Sequence, residues 1–132
     1  MSKANVSADR PLSPHLQVFR PIVTMVMSIL HRVTGAGLYI GMVLLVWWLV
    51  AAAAGPEHFA IINGFLGSWV GGVFLLGFTW ALLHHLLGGI RHLIWDIGWG
   101  FDLPTANAMS WATIIGSLSL TVVVWVIGYV VM

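Results

Sequence analysis

Three histidines, an arginine and an aspartate fall within residues 83–96, at the end of a long apolar run. Elsewhere the chain is nearly free of charge. Ionisable groups at membrane depth are costly, so they mark a function by default. On a helix, His85 and His92 are seven residues apart and lie on nearly one face. Their separation along the axis is about 10 Å. Gly88 and Gly89 lie between them and leave that face without bulk. The pattern predicts a flat group lying there, held by one deep imidazole and by charges at its edge. A haem has those requirements. Neutral imidazole is a frequent axial ligand of haem iron, and His85 sits two turns inside the charged end. Propionates directed outward would meet Arg91, His92, His31 and Arg32, and carboxylates at that depth need cationic partners.

His84 points about 100° away from His85 on a helix, so the two cannot ligate one iron. A packed or hydrogen-bonded side chain is the simpler reading of His84; a second site or a partner helix is the other. One convincing ligand in the chain means that a six-coordinate iron needs its second from another polypeptide or from a symmetry mate. Ser28 and Arg32, at i and i+4, share a helix face. A hydroxyl and a guanidinium at the membrane border can hydrogen-bond a quinone carbonyl and favour the charge of its reduced form, as an oxyanion site does. An arginine alone would more simply snorkel to lipid headgroups; its company with Ser28 favours the quinone role. Asp96 is expected to pair with Arg91 or His92.

The elements that must position these groups are membrane spans. The 132 residues are 60% hydrophobic and 7% charged, with a mean hydropathy of +1.00, where a soluble domain carries about 25% charge. The chain reads as an all-α integral membrane protein. Its net charge of +1 forms no basic patch for nucleic acid. Without cysteine it has no disulfide, no cysteine-ligated cluster and no covalent haem attachment. Residues 1–20 form a polar segment broken by Pro11 and Pro14, with no apolar h-region of a signal peptide. Residues 21–132 form one domain with three spans, at about 22–54, 68–96 and 108–131. Residues 58–67 read as a short interfacial helix or loop after a Gly55–Pro56 turn. The third span is the blandest, and packing is its default role. Gly37 with Gly41, and Gly67 with Gly71, fit small-residue helix packing. Lys3, Arg10 and Arg20 precede the first span, Arg32 lies near its start and Arg91 near the end of the second, so the N-terminus is expected on the cytoplasmic or matrix side. Helices one and two then bring Ser28, His31 and Arg32 near Arg91, His92 and Asp96.

Two stretches resemble a known family. Arg10-Pro11-Leu12-Ser13-Pro14-His15-Leu16, followed by Ser28-Ile29-Leu30-His31-Arg32-Val33-Thr34-Gly35, is similar to the N-terminal signature of the cytochrome b subunit of succinate dehydrogenase, the larger membrane anchor of respiratory complex II. His85-Leu86-Leu87-Gly88-Gly89-Ile90-Arg91-His92-Leu93-Ile94-Trp95-Asp96 resembles its second signature. The resemblance covers all three spans. It implies a complex with a flavoprotein, an iron–sulfur subunit and a second membrane anchor, in the bacterial inner membrane or the mitochondrial one. By position, His85 matches the haem b ligand, with the other axial histidine from the partner anchor. Ser28 and Arg32 match residues of the ubiquinone site, to which the partner adds a tyrosine and which the iron–sulfur subunit borders. His31, Arg91 and His92 fall where the family has propionate or quinone-side contacts. His84 stands where relatives often carry an aromatic residue, and spacing to Gly89, Arg91 and His92 favours His85 over it as ligand. Such a subunit is not catalytic alone. The alternatives are a haem b subunit of another respiratory oxidoreductase and a cofactor-free anchor.

Overall fold

The computed structural model describes residues 14–131. The N-terminal signature up to Ser13, and most of the polar segment that contains it, lie outside the described residues. Four helices follow one another: α1 (Val23–Ala54), α2 (Pro56–Leu66), α3 (Trp69–Asp96) and α4 (Leu103–Val131). Three of them, α1, α3 and α4, are long and apolar enough to cross a membrane. At 1.5 Å per residue each exceeds the ~30 Å of a hydrocarbon core. The chain is a multi-pass membrane protein.

The breaks are written locally. Pro14 to Phe19 makes turns, with Gln17 N–H donating to the Pro14 carbonyl at 3.1 Å. Gly55 ends α1 at φ 119°, a conformation that glycine adopts without cost, and Pro56 then occupies the first turn of α2. The expected turn is thus shorter: only Gly55 stands between two helices, and of the expected interfacial helix or loop at 58–67, residues 58–66 are helix. Trp48 at the far end of α1 donates to Asn63 Oδ1 at 3.3 Å and ties α2 back. Ser68 caps α3, its Oγ accepting from Gly71 N–H at 3.2 Å. Gly98 and Gly100, at φ 84° and 81°, turn the chain after α3.

The third span begins at Leu103, five residues earlier than expected. Asp102 accepts from the Thr105 N–H at 3.0 Å, and Pro104 sits in the first turn, where a missing N–H costs nothing. Thr105 holds the Asp102 carboxyl below the usual carboxylate range, through its side chain first and its backbone second. Asp102 and Pro104, which the expected span at 108–131 left in the connection, therefore start the helix.

Packing is inverted relative to a soluble protein. Most Val, Leu and Ile side chains of the spans are exposed, while the buried positions of α4 are Ala106, Ser110, Thr113, Ser117 and Thr121. These recur every three or four residues and form one face. Lipid tails are as apolar as leucine, so helices associate through small residues and polar contacts. Each hydroxyl is satisfied within its own helix: Ser110, Thr113 and Thr121 donate to the carbonyls of Ala106, Met109 and Ser117 at 2.8, 2.9 and 2.7 Å. α3 packs against both α1 and α4. Of the glycine pairs, Gly41 receives the Phe78 ring and Gly71 meets the backbone of Phe65 and Leu66, whereas Gly37 faces open space.

Gly71→Val should destabilise the α2–α3 corner by about 1–3 kcal/mol, because backbone cannot step aside for the new side chain. Gly72→Ala, at a position with nothing nearby, should leave the thermal unfolding temperature in detergent unchanged.

Candidate functional site

His85 projects from the middle of α3 toward α1. Its Nδ1 lies 3.0 Å from the His31 carbonyl oxygen and 3.3 Å from Thr34 Oγ1. A carbonyl only accepts, so Nδ1 carries the hydrogen. Thr34 has already given its own hydrogen to the Leu30 and His31 carbonyls, at 2.8 and 3.0 Å. Nε2 is therefore left with its lone pair. This is the arrangement a metal-binding histidine uses, with one ring nitrogen donating to a backbone carbonyl and the other free to ligate. Gly35 makes the approach possible: a Cβ there would lie 3.0 Å from His85 Cε1.

The His31 ring stacks on His85, with centroids 3.9 Å apart and planes 6° from parallel. It fills the gap at Gly88, where an added Cβ would come within 2.6 Å of His31 Nδ1. The flat surface expected across Gly88 and Gly89 is thus half occupied by the protein itself, and only Gly89 is open. The reason is the second helix: α1 brings an imidazole of its own to the space that α3 leaves. His92 joins the cluster, its ring 5.1 Å from His31 and edge-on to Trp95 at 5.2 Å. Three imidazoles thus converge between α1 and α3.

Arg91 faces α4. It is 3% exposed, its Nη1 donates to Ser110 Oγ at 3.0 Å, and its guanidinium lies 4.9 Å from the Trp95 ring centre. Its Nε is buried and has no protein partner among the described residues. A buried charged donor without an acceptor is costly, and a carboxylate would satisfy it. The expected pairing of Asp96 with Arg91 or His92 is not formed: no ion pair involves Asp96 among the described residues, because Ser110 and Trp95 hold Arg91 instead. Ser28 and Arg32 are exposed on α1. They share a face, as their spacing implied, but neither has a hydrogen bond or ion pair among the described residues, so polar contacts with Arg91, His92 and Asp96 are not formed. Their polar groups are open to a ligand or a further chain.

His84 is buried, at 1% exposure, against α4, with Nδ1 3.1 Å from Ser117 Oγ and its ring 5.2 Å from Trp80. Sequence reasoning gave α4 no role at the site, yet Ser110 and Ser117 hold the two most buried ionisable side chains of α3. The signal was present in the spacing of Ser110, Thr113, Ser117 and Thr121, which puts a polar stripe on a helix with no other business being polar.

Residues 7–124 match the family described as succinate dehydrogenase/fumarate reductase transmembrane subunit. The chain is 45% identical over 122 residues to the succinate dehydrogenase cytochrome b556 subunit of Paracoccus denitrificans, covering 92% of this chain and 94% of the relative. It is 35% identical over 125 residues to the protein of that name from Rickettsia conorii, covering 95% and 98%. The mitochondrial cytochrome b560 subunit of Sus scrofa is 36% identical over 102 residues, covering 76% of this chain and 60% of the relative. A match that runs through all three spans, and takes in His31, His85, Arg91 and His92, makes the chain a member of the succinate dehydrogenase/fumarate reductase transmembrane subunit family.

Proposed function

We propose that this membrane anchor holds haem b through His85 Nε2 and helps bind ubiquinone at Ser28 and Arg32, within a succinate:quinone oxidoreductase. The observation that carries the reading is the His85 hydrogen bond to the His31 carbonyl, which leaves a lone pair on Nε2 deep in the membrane span. A histidine of the partner anchor would supply the other ligand to the iron. His31, Arg32, Arg91 and His92 would hold the haem carboxylates. Arg91 can keep Nη1 on Ser110 and give its unpartnered Nε to a carboxylate, since a guanidinium has five N–H donors. Haem b, when bound, exchanges single electrons.

The chain's own residues do the rest. Ser28 donates its hydroxyl hydrogen to a quinone carbonyl oxygen. Arg32 offers a fixed positive charge to the same end of the ring, where negative charge grows on reduction. The quinone takes up two electrons and two protons and leaves as quinol. The electrons come from the succinate-oxidising flavoprotein by way of the iron–sulfur subunit. The Lys/Arg bias supports a position of Ser28, Arg32 and the N-terminus on the cytoplasmic side of a bacterial inner membrane, or the matrix side of a mitochondrial one, with protons drawn from that side. Relatives of nearly the same length from Paracoccus and Rickettsia favour the bacterial membrane. A cofactor-free anchor would have no use for an imidazole with its free nitrogen presented in the span.

Two outcomes test this in the purified complex. Arg32→Leu and Ser28→Ala should each depress succinate-dependent quinone reduction, the arginine change on the order of a hundredfold. Both should leave succinate oxidation by a soluble dye intact. A normal quinone rate in Arg32→Leu would remove that residue from the site. In optical spectra, His85→Leu should lose the low-spin b-type signal, whereas His58→Leu, on α2, should keep it.

A further inference from the structure

The seam between α3 and α4 carries two polar rungs. His84 meets Ser117, with Nδ1 to Oγ 3.1 Å, and Arg91 meets Ser110, with Nη1 to Oγ 3.0 Å. The rungs are seven residues apart on both helices and run antiparallel, so a single register satisfies both. Their spacing along the axes is about 10 Å. All four side chains are buried: His84 1%, Arg91 3%, Ser110 0% and Ser117 0% exposed. Between the rungs the helices touch, since a Cβ on Gly116 would lie 3.1 Å from Leu87 Cδ1.

The direction of each bond is determined. Ser117 donates its hydroxyl hydrogen to the Ile114 carbonyl at 3.0 Å, so Oγ accepts from His84 Nδ1–H. His84 Nε2 has no partner among the described residues, so the Ser117 bond is the one polar anchor of this ring. Ser110 likewise donates to Ala106 and accepts from Arg91. Lipid offers no substitute acceptor, so rotating or sliding α3 would strand buried donors at both rungs. His85 is the next residue after His84, about 100° around the helix. Holding His84 on α4 therefore turns His85 toward α1, where the His31 carbonyl receives it.

We infer that His84, through Ser117, is a positioning residue for His85: it fixes the rotation of α3 and with it the plane of the ligating imidazole. This rests on the haem reading above. The Arg91–Ser110 rung gives the same clamp its second point. The sequence suggested a packed or hydrogen-bonded side chain for His84, or one facing a second site or a partner helix; the geometry makes it the index pin for the ligand beside it.

The test is the low-temperature EPR spectrum of the oxidised complex, because the largest g-value of a low-spin ferric haem depends on the relative orientation of its two axial imidazole planes. His84→Phe keeps the ring and removes the donor. Ser117→Ala removes the acceptor with the smallest change of volume. Both should retain haem and shift that g-value in the same direction, and the double variant should shift it no further than the larger single, since both act through one bond. His84→Asn, whose amide N–H can stand in for Nδ1–H, should restore the original signal. If His84→Phe fails to assemble, Ser117→Ala alone decides. Full haem content with an unmoved g-value in Ser117→Ala overturns the clamp while leaving the haem reading intact. No low-spin signal in the unaltered complex overturns both.

Discussion

A membrane interior supplies no hydrogen-bond partners, so an imidazole placed there must find its own. For His85 the partner is the carbonyl of His31, one helix away. Several features of the chain serve that contact. Gly35 clears the approach, and Thr34 turns its hydroxyl back on its own helix and leaves its oxygen beside Nδ1. Gly88 in turn admits the His31 ring, which locks over His85 in a parallel stack. Each helix thus lends a glycine to the other's histidine. Arranged so, the ring has its donor engaged and its acceptor available, which is the state in which imidazole ligates a metal.

The same constraint explains why the polar residues of this protein are inside. The spans turn most of their aliphatic side chains outward, and keep several threonine, serine, arginine and histidine side chains between the helices. A hydroxyl bonded to the carbonyl one turn back has spent its hydrogen but retains a lone pair. That lone pair is what Ser117 offers His84 and Ser110 offers Arg91. The stripe on α4 is therefore a row of acceptors, and α3 is the helix that carries the matching donors. Ser28 and Arg32 are the counter-example. They stay exposed on α1, where neither has a hydrogen-bond partner among the described residues. Groups that serve the fold are paired within it, and groups proposed to serve a ligand are left open.

Much of this was legible in order and little of it in direction. The spans followed from the absence of charge between Arg32 and Glu57 and again through 108–131, because length and hydropathy are properties of one segment. The proximity of His31 and His92 followed from two antiparallel helices, whereas the stacking of His31 on His85 did not. Which way each side chain turns depends on two helices at once. Nothing along α3 alone says that His31 will fill the space over Gly88, or that Arg91 will choose Ser110 over Asp96. The start of α4 was misplaced for a local reason: Pro104 and Asp102 read as connection, yet together they form a helix start of the ordinary kind, with an acidic cap and a proline in the first turn. The polar stripe on α4 was visible as a period but had no meaning until a donor stood opposite each serine.

Membership of the succinate dehydrogenase/fumarate reductase transmembrane subunit family gives these interactions a setting, a membrane anchor within a larger oxidoreductase. Within that setting we propose that the His85 nitrogen left free by the His31 carbonyl is an iron ligand. A high-resolution structure of the intact purified complex, solved in a lipid environment, is the direct test. Iron density is expected at coordination distance from His85 Nε2, with a porphyrin edge running past Gly89 toward Arg91 and His92. Nε2 facing only side chains or acyl chains, or iron held instead by His84, would contradict it.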